Sequence, residues 1–410
     1  MQHLNILFDL KAHKNILIIT YWDYQDALIQ NYTLPYAKII SDNLSSESKI
    51  YLVTLDKLNR KKISISFKNN IHNISLPYFG FGIRACFAWF KNIFKLYKLI
   101  KRENISFIHA WCTPAGMIGY ILSLLSKKPL IIDSYEPHAE AMVENGEWKK
   151  NGIAFKLLFK FEKLQTHRAI FLIATTEGMK KYAEKKFNFF NDTILVKPAC
   201  VDLKLFSSDN CKKQNLLNEL NLENKIIGVY AGKFGGIYLE KEFFDFIKIA
   251  ENYWGDKFRA LILSSHTSLE IINMGNKSKL LPITLVHRFV PHHQIADYIG
   301  LADFAITPVN PVSSKRFCSP IKDGEYWALG LPIVITKNIS DDSEIIKENN
   351  IGSVLQYLNN EEYLESIKQI DNLLKTNSKE ELYKKIRPIA EKYRNFEIAD
   401  RIYKSIYGKT

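Results

Sequence analysis

Ser319-Pro320-Ile321-Lys322-Asp323-Gly324-Glu325-Tyr326-Trp327-Ala328-Leu329-Gly330-Leu331-Pro332-Ile333-Val334 is the stretch on which the fold turns. It reads as loop, short helix and buried strand, with Pro320 near the helix start and Gly330 just past its end. A helix that passes so quickly into an apolar strand is part of a βα repeat, and the rhythm extends outward in both directions. Apolar runs at 226–231, 259–264, 283–287, 304–307, 333–336 and 353–355 alternate with helix-period segments at 240–253, 294–301, 324–329 and 341–349. Earlier in the chain strands are expected at 15–20, 50–55, 71–75, 107–110, 130–133, 169–174 and 193–197. Helices are expected there at 33–44, 83–102, 115–126, 153–167 and 177–187. The fold class is therefore α/β, two doubly wound domains of similar size. A polar stretch at 207–224 precedes the second series, and polar helices at 361–374 and 379–407 end the chain, with Pro388 a kink.

A length of 410 residues suits two to three domains. Hydrophobic residues at 47% and charged residues at 24% exclude a disordered or collagen-like chain. The net charge of +13 is unevenly placed: residues 1–205 carry +12 and residues 206–410 carry +1. Cys86, Cys112, Cys200, Cys211 and Cys318 are odd in number and contain no C-x-x-C pair. That argues against a disulfide framework or a structural zinc site and suits a reducing compartment. Asp9, Lys11, His13 and Lys14 interrupt any signal-peptide core. The longest nearly apolar stretch, 112–125, is shorter than the ~20 residues of a spanning helix. The expectation is a chain that is soluble or peripheral to a membrane, not integral.

Open parallel sheets bind ligands at the carboxyl ends of their strands, and two such domains facing each other make a cleft. No G-x-G-x-x-G and no P-loop follows a strand, and no D-x-D occurs to hold a metal on a diphosphate, so no metal and no cofactor is expected. The helix start around Pro320, with Lys322, is an anion site in kind. Glu325, one turn in, is placed to accept two hydrogen bonds from a ribose, a capped surface helix with a solvated Glu being the alternative. In the first half, strand 130–133 runs into Ser134-Tyr135-Glu136-Pro137-His138, where His138 is suited to a sugar hydroxyl near neutral pH, a helix-start His in a turn set by Pro137 being the alternative. His109 reads as structural, and His292-His293 as a helix-start pair without a metal partner. Trp22, Asp23 and Asp26, after the first strand, suit stacking on a sugar ring and bonding its hydroxyls, with packing under the domain edge the alternative.

Segment 83–102 accounts for much of the charge. On a helical projection Arg84, Lys91, Lys95, Lys98 and Arg102 share roughly a 60° sector, and the apolar arc spans about half the circumference. This is wider than covering a sheet requires, so the flank, with Trp89 and the lysine stems, is suited to a lipid headgroup layer. A sheet-covering helix with a solvated basic face is the alternative.

The stretch 319–334 resembles the donor-binding signature of GT-B glycosyltransferases, particularly retaining family 4, in its Pro–x–Lys–x–x–Glu–Tyr–x–Ala–x–Gly–x–Pro run. Three further stretches are similar in type and order: Val196–Phe206, written V-K-P-A-C-V-D-L-K-L-F; Tyr230-Ala231-Gly232-Lys233; and Ala302-Asp303-Phe304-Ala305-Ile306-Thr307-Pro308. The resemblance implies a GT-B fold, two Rossmann-like domains facing an interdomain cleft. An acceptor and membrane-facing domain would span 1–205 and a donor-binding domain 206–385, with a C-terminal helix, 386–410, crossing back. It implies that Glu325 contacts the donor ribose, that Lys233 with a second cation, Lys241, holds the diphosphate, and that His138 stands at the reaction centre. The family's first glutamate falls at Phe317, so Ser319 and backbone amides are the expected sugar contacts. The expected partners are a nucleotide sugar, a saccharide or lipid-linked acceptor and an anionic membrane, not nucleic acid. The expected place is the cytoplasmic face of a membrane. A non-hydrolysing nucleotide-sugar epimerase of the same architecture and a non-catalytic membrane or nucleic-acid adaptor are the alternatives.

Overall fold

Ile16, Leu17, Ile18 and Ile19 are wholly buried, as a strand covered on both faces must be, and the same holds along most strands of both sheets. A computed structural model describes residues 13–26, 28–56, 70–78, 83–190 and 192–408, with the backbone alone for 83–86. The chain divides into two compact units, 1–197 with 397–410, and 198–396. The division falls at Lys197/Pro198 rather than after 205, and only the residues from Glu397 onward, not from 386, group with the first unit.

The first unit holds seven parallel strands: β1 (Asn15–Ile19), β2 (Ile50–Asp56), β3 (Ile71–Pro77), β4 (Ile105–Trp111), β5 (Leu130–Tyr135), β6 (Phe171–Ala174) and β7 (Ile194–Val196). Their order is β3-β2-β1-β4-β5-β6-β7. The second holds β8 (Ile226–Ala231), β9 (Phe258–Leu263), β10 (Leu285–Arg288), β11 (Phe304–Thr307), β12 (Ile333–Thr336) and β13 (Gly352–Leu355), in the order β10-β9-β8-β11-β12-β13. Each sheet reverses its winding once, between β1 and β4 and between β8 and β11. Those reversals are where an open α/β sheet leaves a crevice at its carboxyl edge. The loops after β1, β8 and β11 are therefore the ones that matter for function. Both units are doubly wound, as the α/β fold class requires.

Helix Ile321–Ala328 starts three residues earlier than the 324–329 expectation, directly after Pro320. It ends before Gly330, whose φ of +68° and close approach to Tyr383 both exclude a side chain. Pro388 lies inside an unbroken helix, Lys379–Tyr393. The break comes instead at Arg394–Asn395, where the backbone is captured by pairing with Val201. Within the supposed polar connection the chain forms a short helix, Gln214–Glu219, that buries Leu217.

Candidate active site

In the second unit the carboxyl edge is built around helix Ile321–Ala328. Glu325 is 2% exposed, and its carboxylate accepts a hydrogen bond from Lys322 Nζ at 2.7 Å, the two lying one turn apart. Tyr326, beside it, accepts from the Ala231 N–H at 3.0 Å and so ties this helix to the end of β8. Two residues on, Lys233 is exposed and, among the described residues, makes no ion pair, while its carbonyl accepts from the Tyr230 hydroxyl. Lys241 points elsewhere: it is exposed and pairs with Asp245 at 2.6 Å along its own helix. Ser319 Oγ accepts from the Ala199 N–H at 3.0 Å and from the Arg394 guanidinium, which leaves only its own proton for a ligand. Phe317 closes the 3-10 turn Ser313–Phe317 and is half-buried.

His292, exposed at the helix start expected for it, lies near this group. It opens the short 3-10 turn after β10 and lies within electrostatic range of Glu325, Lys322 and Asp202. Burial lowers its pKa, against the opposing pull of the Glu325 carboxylate. Two cations, a shielded carboxylate and a nearby imidazole suit an anionic ligand that also carries hydroxyls.

In the first unit, the loop after β1 carries Trp22, Asp23 and Asp26, all half-buried. Asp23 Oδ1 accepts from the Gln25 N–H and Asp26 Oδ1 from the Leu28 N–H, each at 2.9 Å, so both carboxylates shape the loop they sit on. Near its end β5 bulges: Ser134 takes a φ of +49°, its N–H donating to Asp133 Oδ1, and register with β6 shifts there. The bulge turns the chain into Glu136-Pro137-His138. His138 is the first residue of helix His138–Glu144 and is half-exposed. The next N–H, Ala139, donates at 2.9 Å to Glu162 Oε1, a fully buried carboxyl that also accepts from Thr113.

Beneath this edge lies a buried polar cluster that no sequence spacing announced. Asp133 meets Lys197 Nζ at 3.2 Å, His109 Nε2 at 3.2 Å and the Tyr403 hydroxyl at 2.6 Å, while His109 Nδ1 meets Tyr407 at 2.7 Å. Burial alone would raise the Asp133 pKa, but the Lys197 charge and the bonds from His109 and Tyr403 hold it down at about 2. The Lys197 ammonium stands 3.7 Å over the Tyr36 ring, with Trp111 and Tyr403 around it. Tyr403 and Tyr407 come from helix Phe396–Tyr407, so the cluster fastens that helix to its unit.

Lys91, Lys95, Lys98 and Arg102 are exposed on helix Ile83–Arg102. The Arg84 side chain lies outside the described residues. Among the described residues no group of three or more His, Cys, Asp or Glu is arranged to hold a metal, and no helix is long and apolar enough to cross a membrane.

With this geometry in hand, residues 27–162 match the family model described as glycosyl transferase 4-like. Sucrose-phosphate synthase from Thermosynechococcus elongatus superposes with a TM-score of 0.71 at 13% identity, over 96% of this chain and 98% of that one. The chain has the GT-B fold, and residues 27–162 are glycosyl transferase 4-like. HepE from Anabaena, in complex with UDP, gives a TM-score of 0.68 at 12% identity over 96% and 99% of the two chains. WaaG, a glycosyltransferase involved in lipopolysaccharide biosynthesis, gives 0.69 at 12% identity over 96% and 100%. At these identities the superpositions speak for the fold alone, and the family match for residues 27–162. No curated protein matches the sequence.

Proposed function

We propose that this chain is a glycosyltransferase that moves a sugar, with retention, from a nucleoside-diphosphate donor to a lipid-linked saccharide at the cytoplasmic face of a membrane. The observation that carries the donor half is the shielded Glu325 carboxylate beside Lys322, one turn into a helix that opens at a winding reversal. HepE, which shares the fold, was captured with UDP and with UDP-glucose, and this supports a nucleotide of that kind here. Glu325 accepts the ribose hydroxyls. Lys322, Lys233 and the first N–H groups of helix Ile321–Ala328 face the diphosphate. As the sugar departs, negative charge accumulates on the diphosphate, and fixed cations and amides stabilise it without a metal ion. Lys241, held by Asp245, is the weaker second cation, and the Ser319 hydroxyl proton is the sugar contact that remains to it. In the first unit His138 meets the transferring sugar, and Trp22 with Asp23 and Asp26 receives the acceptor.

The glycosyl transferase 4-like match does not favour the epimerase or the non-catalytic adaptor. Incubating donor alone separates the first, since epimerisation without acceptor would overturn transfer. For the donor site, UDP at a hundred times its dissociation constant is expected to stabilise the protein by ~2.7 kcal/mol in a thermal-shift titration. Glu325→Ala is expected to weaken UDP binding about 10–100-fold, the value of hydrogen bonds to a charged group. No stabilisation by any nucleoside diphosphate would overturn the assignment.

A further inference from the structure

The connections β3→β4, β4→β5 and β5→β6 all step across the first sheet in one direction. Right-handed crossovers therefore put helices Ile83–Arg102, Cys112–Ser126 and Ile153–Arg168 on the same face. The first packs on the second and the second on the third. The outer two carry ten Lys and Arg and a single acid, Glu162, which is buried. The middle helix carries no charged residue at all.

This face does not hide its apolar side chains. On the first helix Phe87, Phe90 and Phe94 are 75%, 77% and 55% exposed, beside Lys91, Lys95 and Lys98. The helix thus buries Leu96, Leu99 and Ile100 and turns its phenylalanines outward, where half-buried Trp89 was the expected contact. On the middle helix Leu124 and Leu125 are half exposed. On the third, Ile153 is 83% exposed, and Leu157 is exposed between Lys156 and Lys160.

We infer that these three helices together form one docking surface for an anionic lipid bilayer, with an uncharged ridge between two basic, apolar-tipped flanks. Exposed phenylalanine and aliphatic side chains enter the headgroup boundary while lysines at the same level meet lipid phosphates. The charge argues against a second copy of this chain on the same face, which would oppose two cationic surfaces. Leucine and isoleucine have no ring to stack on a base, which favours lipid over a nucleic acid. Phe87, Ile153 and Leu157 lie within the first two turns of helices that start at the carboxyl edge of the sheet, so the surface reaches the edge that carries the Trp22 and His138 loops. The inference rests on the lipid-linked acceptor reading only for its purpose, since binding to the bilayer needs no donor or acceptor.

The test is co-sedimentation of the full chain with vesicles of phosphatidylglycerol and phosphatidylcholine, against phosphatidylcholine alone. Partitioning is expected onto the anionic vesicles only, and to fall as salt rises. Each lysine near such a surface contributes about fivefold, so Lys156→Gln with Lys160→Gln is expected to lower partitioning roughly thirtyfold. Leu124→Ser with Leu125→Ser is expected to lower it at low and high salt alike, because burial of apolar surface is not screened. Wild-type partitioning in the Lys156/Lys160 variant would overturn the three-helix surface, even if changes at Lys91, Lys95 and Lys98 released the protein. Equal binding to neutral vesicles, tighter binding to duplex DNA or single-stranded RNA at the same salt, or a dimer that these substitutions dissociate would each overturn it too. A UDP thermal shift unchanged in the variants shows that they fold. A missing shift in the wild type would overturn the donor reading and leave this one standing.

Discussion

Replacing Arg394 with methionine is expected to destabilise the second unit by about 3–5 kcal/mol, a large part of the stability of an ordinary domain. Arg394 is 1% exposed, and its Nη2 donates to both carboxylate oxygens of Asp342, itself 2% exposed. Its other amino group donates to Ser319 and to the Ala199 carbonyl, and its stem runs over Gly324, where a Cβ would collide with it. Methionine keeps the stem and its packing, so the loss reports the guanidinium. Without it Asp342 is a buried anion with no counter-charge. Asp323 beside it is an acid too and offers no counter-charge: burial and then the Asp342 charge push its carboxyl up, and it accepts from Thr307. The double change Arg394→Met with Asp342→Leu removes both charges and is expected to recover most of the loss. A denaturation midpoint for Arg394→Met equal to that of the wild type would sink the argument. The same variant is expected to lose its UDP shift, because Ser319 and the first turn of the Glu325 helix hang on that guanidinium.

Arg394 also marks where sequence reading stops. Strands such as β8, β11 and β12 were legible to the residue, because a strand buried on both faces is a continuous apolar run with sharp ends. Helix Ile83–Arg102 was equally plain from its period. Helix Ser268–Lys277 was missed although Thr267 and Glu270 form a capping box readable in the sequence, because only Ile271 and Gly275 are buried and the apolar period is faint. Lys322 and Glu325 met because three residues on a helix always bring side chains together. His292 reaches the same group through the winding of the sheet, and Lys197 reaches Asp133 and Tyr403 through strand order and a returning helix. No local pattern encodes contacts of that range. Pro388 misled for a related reason: the chain breaks where Val201 takes its backbone, not where its own propensity is weakest.

The second large effect concerns pH. Glu162 is buried under the His138 loop, and burial pushes its carboxyl up to about 8, with Glu140 and Glu136 adding to the rise and the bonds from the Ala139 N–H and Thr113 opposing it. In the unfolded chain an ordinary glutamate releases its proton near pH 4.5. Between about pH 4.5 and 8 the folded protein therefore holds a proton that the unfolded one has lost. Stability from this group is full below that window and is lost as pH rises through it, by of order 5 kcal/mol. Glu162→Gln keeps the Oε1 acceptor for Ala139 and removes the titration. Its melting temperature is expected to match the wild type at pH 5 and to exceed it increasingly toward pH 8.5. Glu162→Leu loses the acceptor, leaves the Ala139 N–H unpaired and is expected to be less stable at pH 5, where the wild-type carboxyl is neutral. A Glu162→Gln protein whose melting temperature follows the wild type in parallel across the range would show that Glu162 does not carry this proton. Ala139 follows His138 directly, so the tether also decides how firmly the imidazole is presented. Transfer by Glu162→Leu is expected to fall through turnover, with UDP binding in the second unit unchanged.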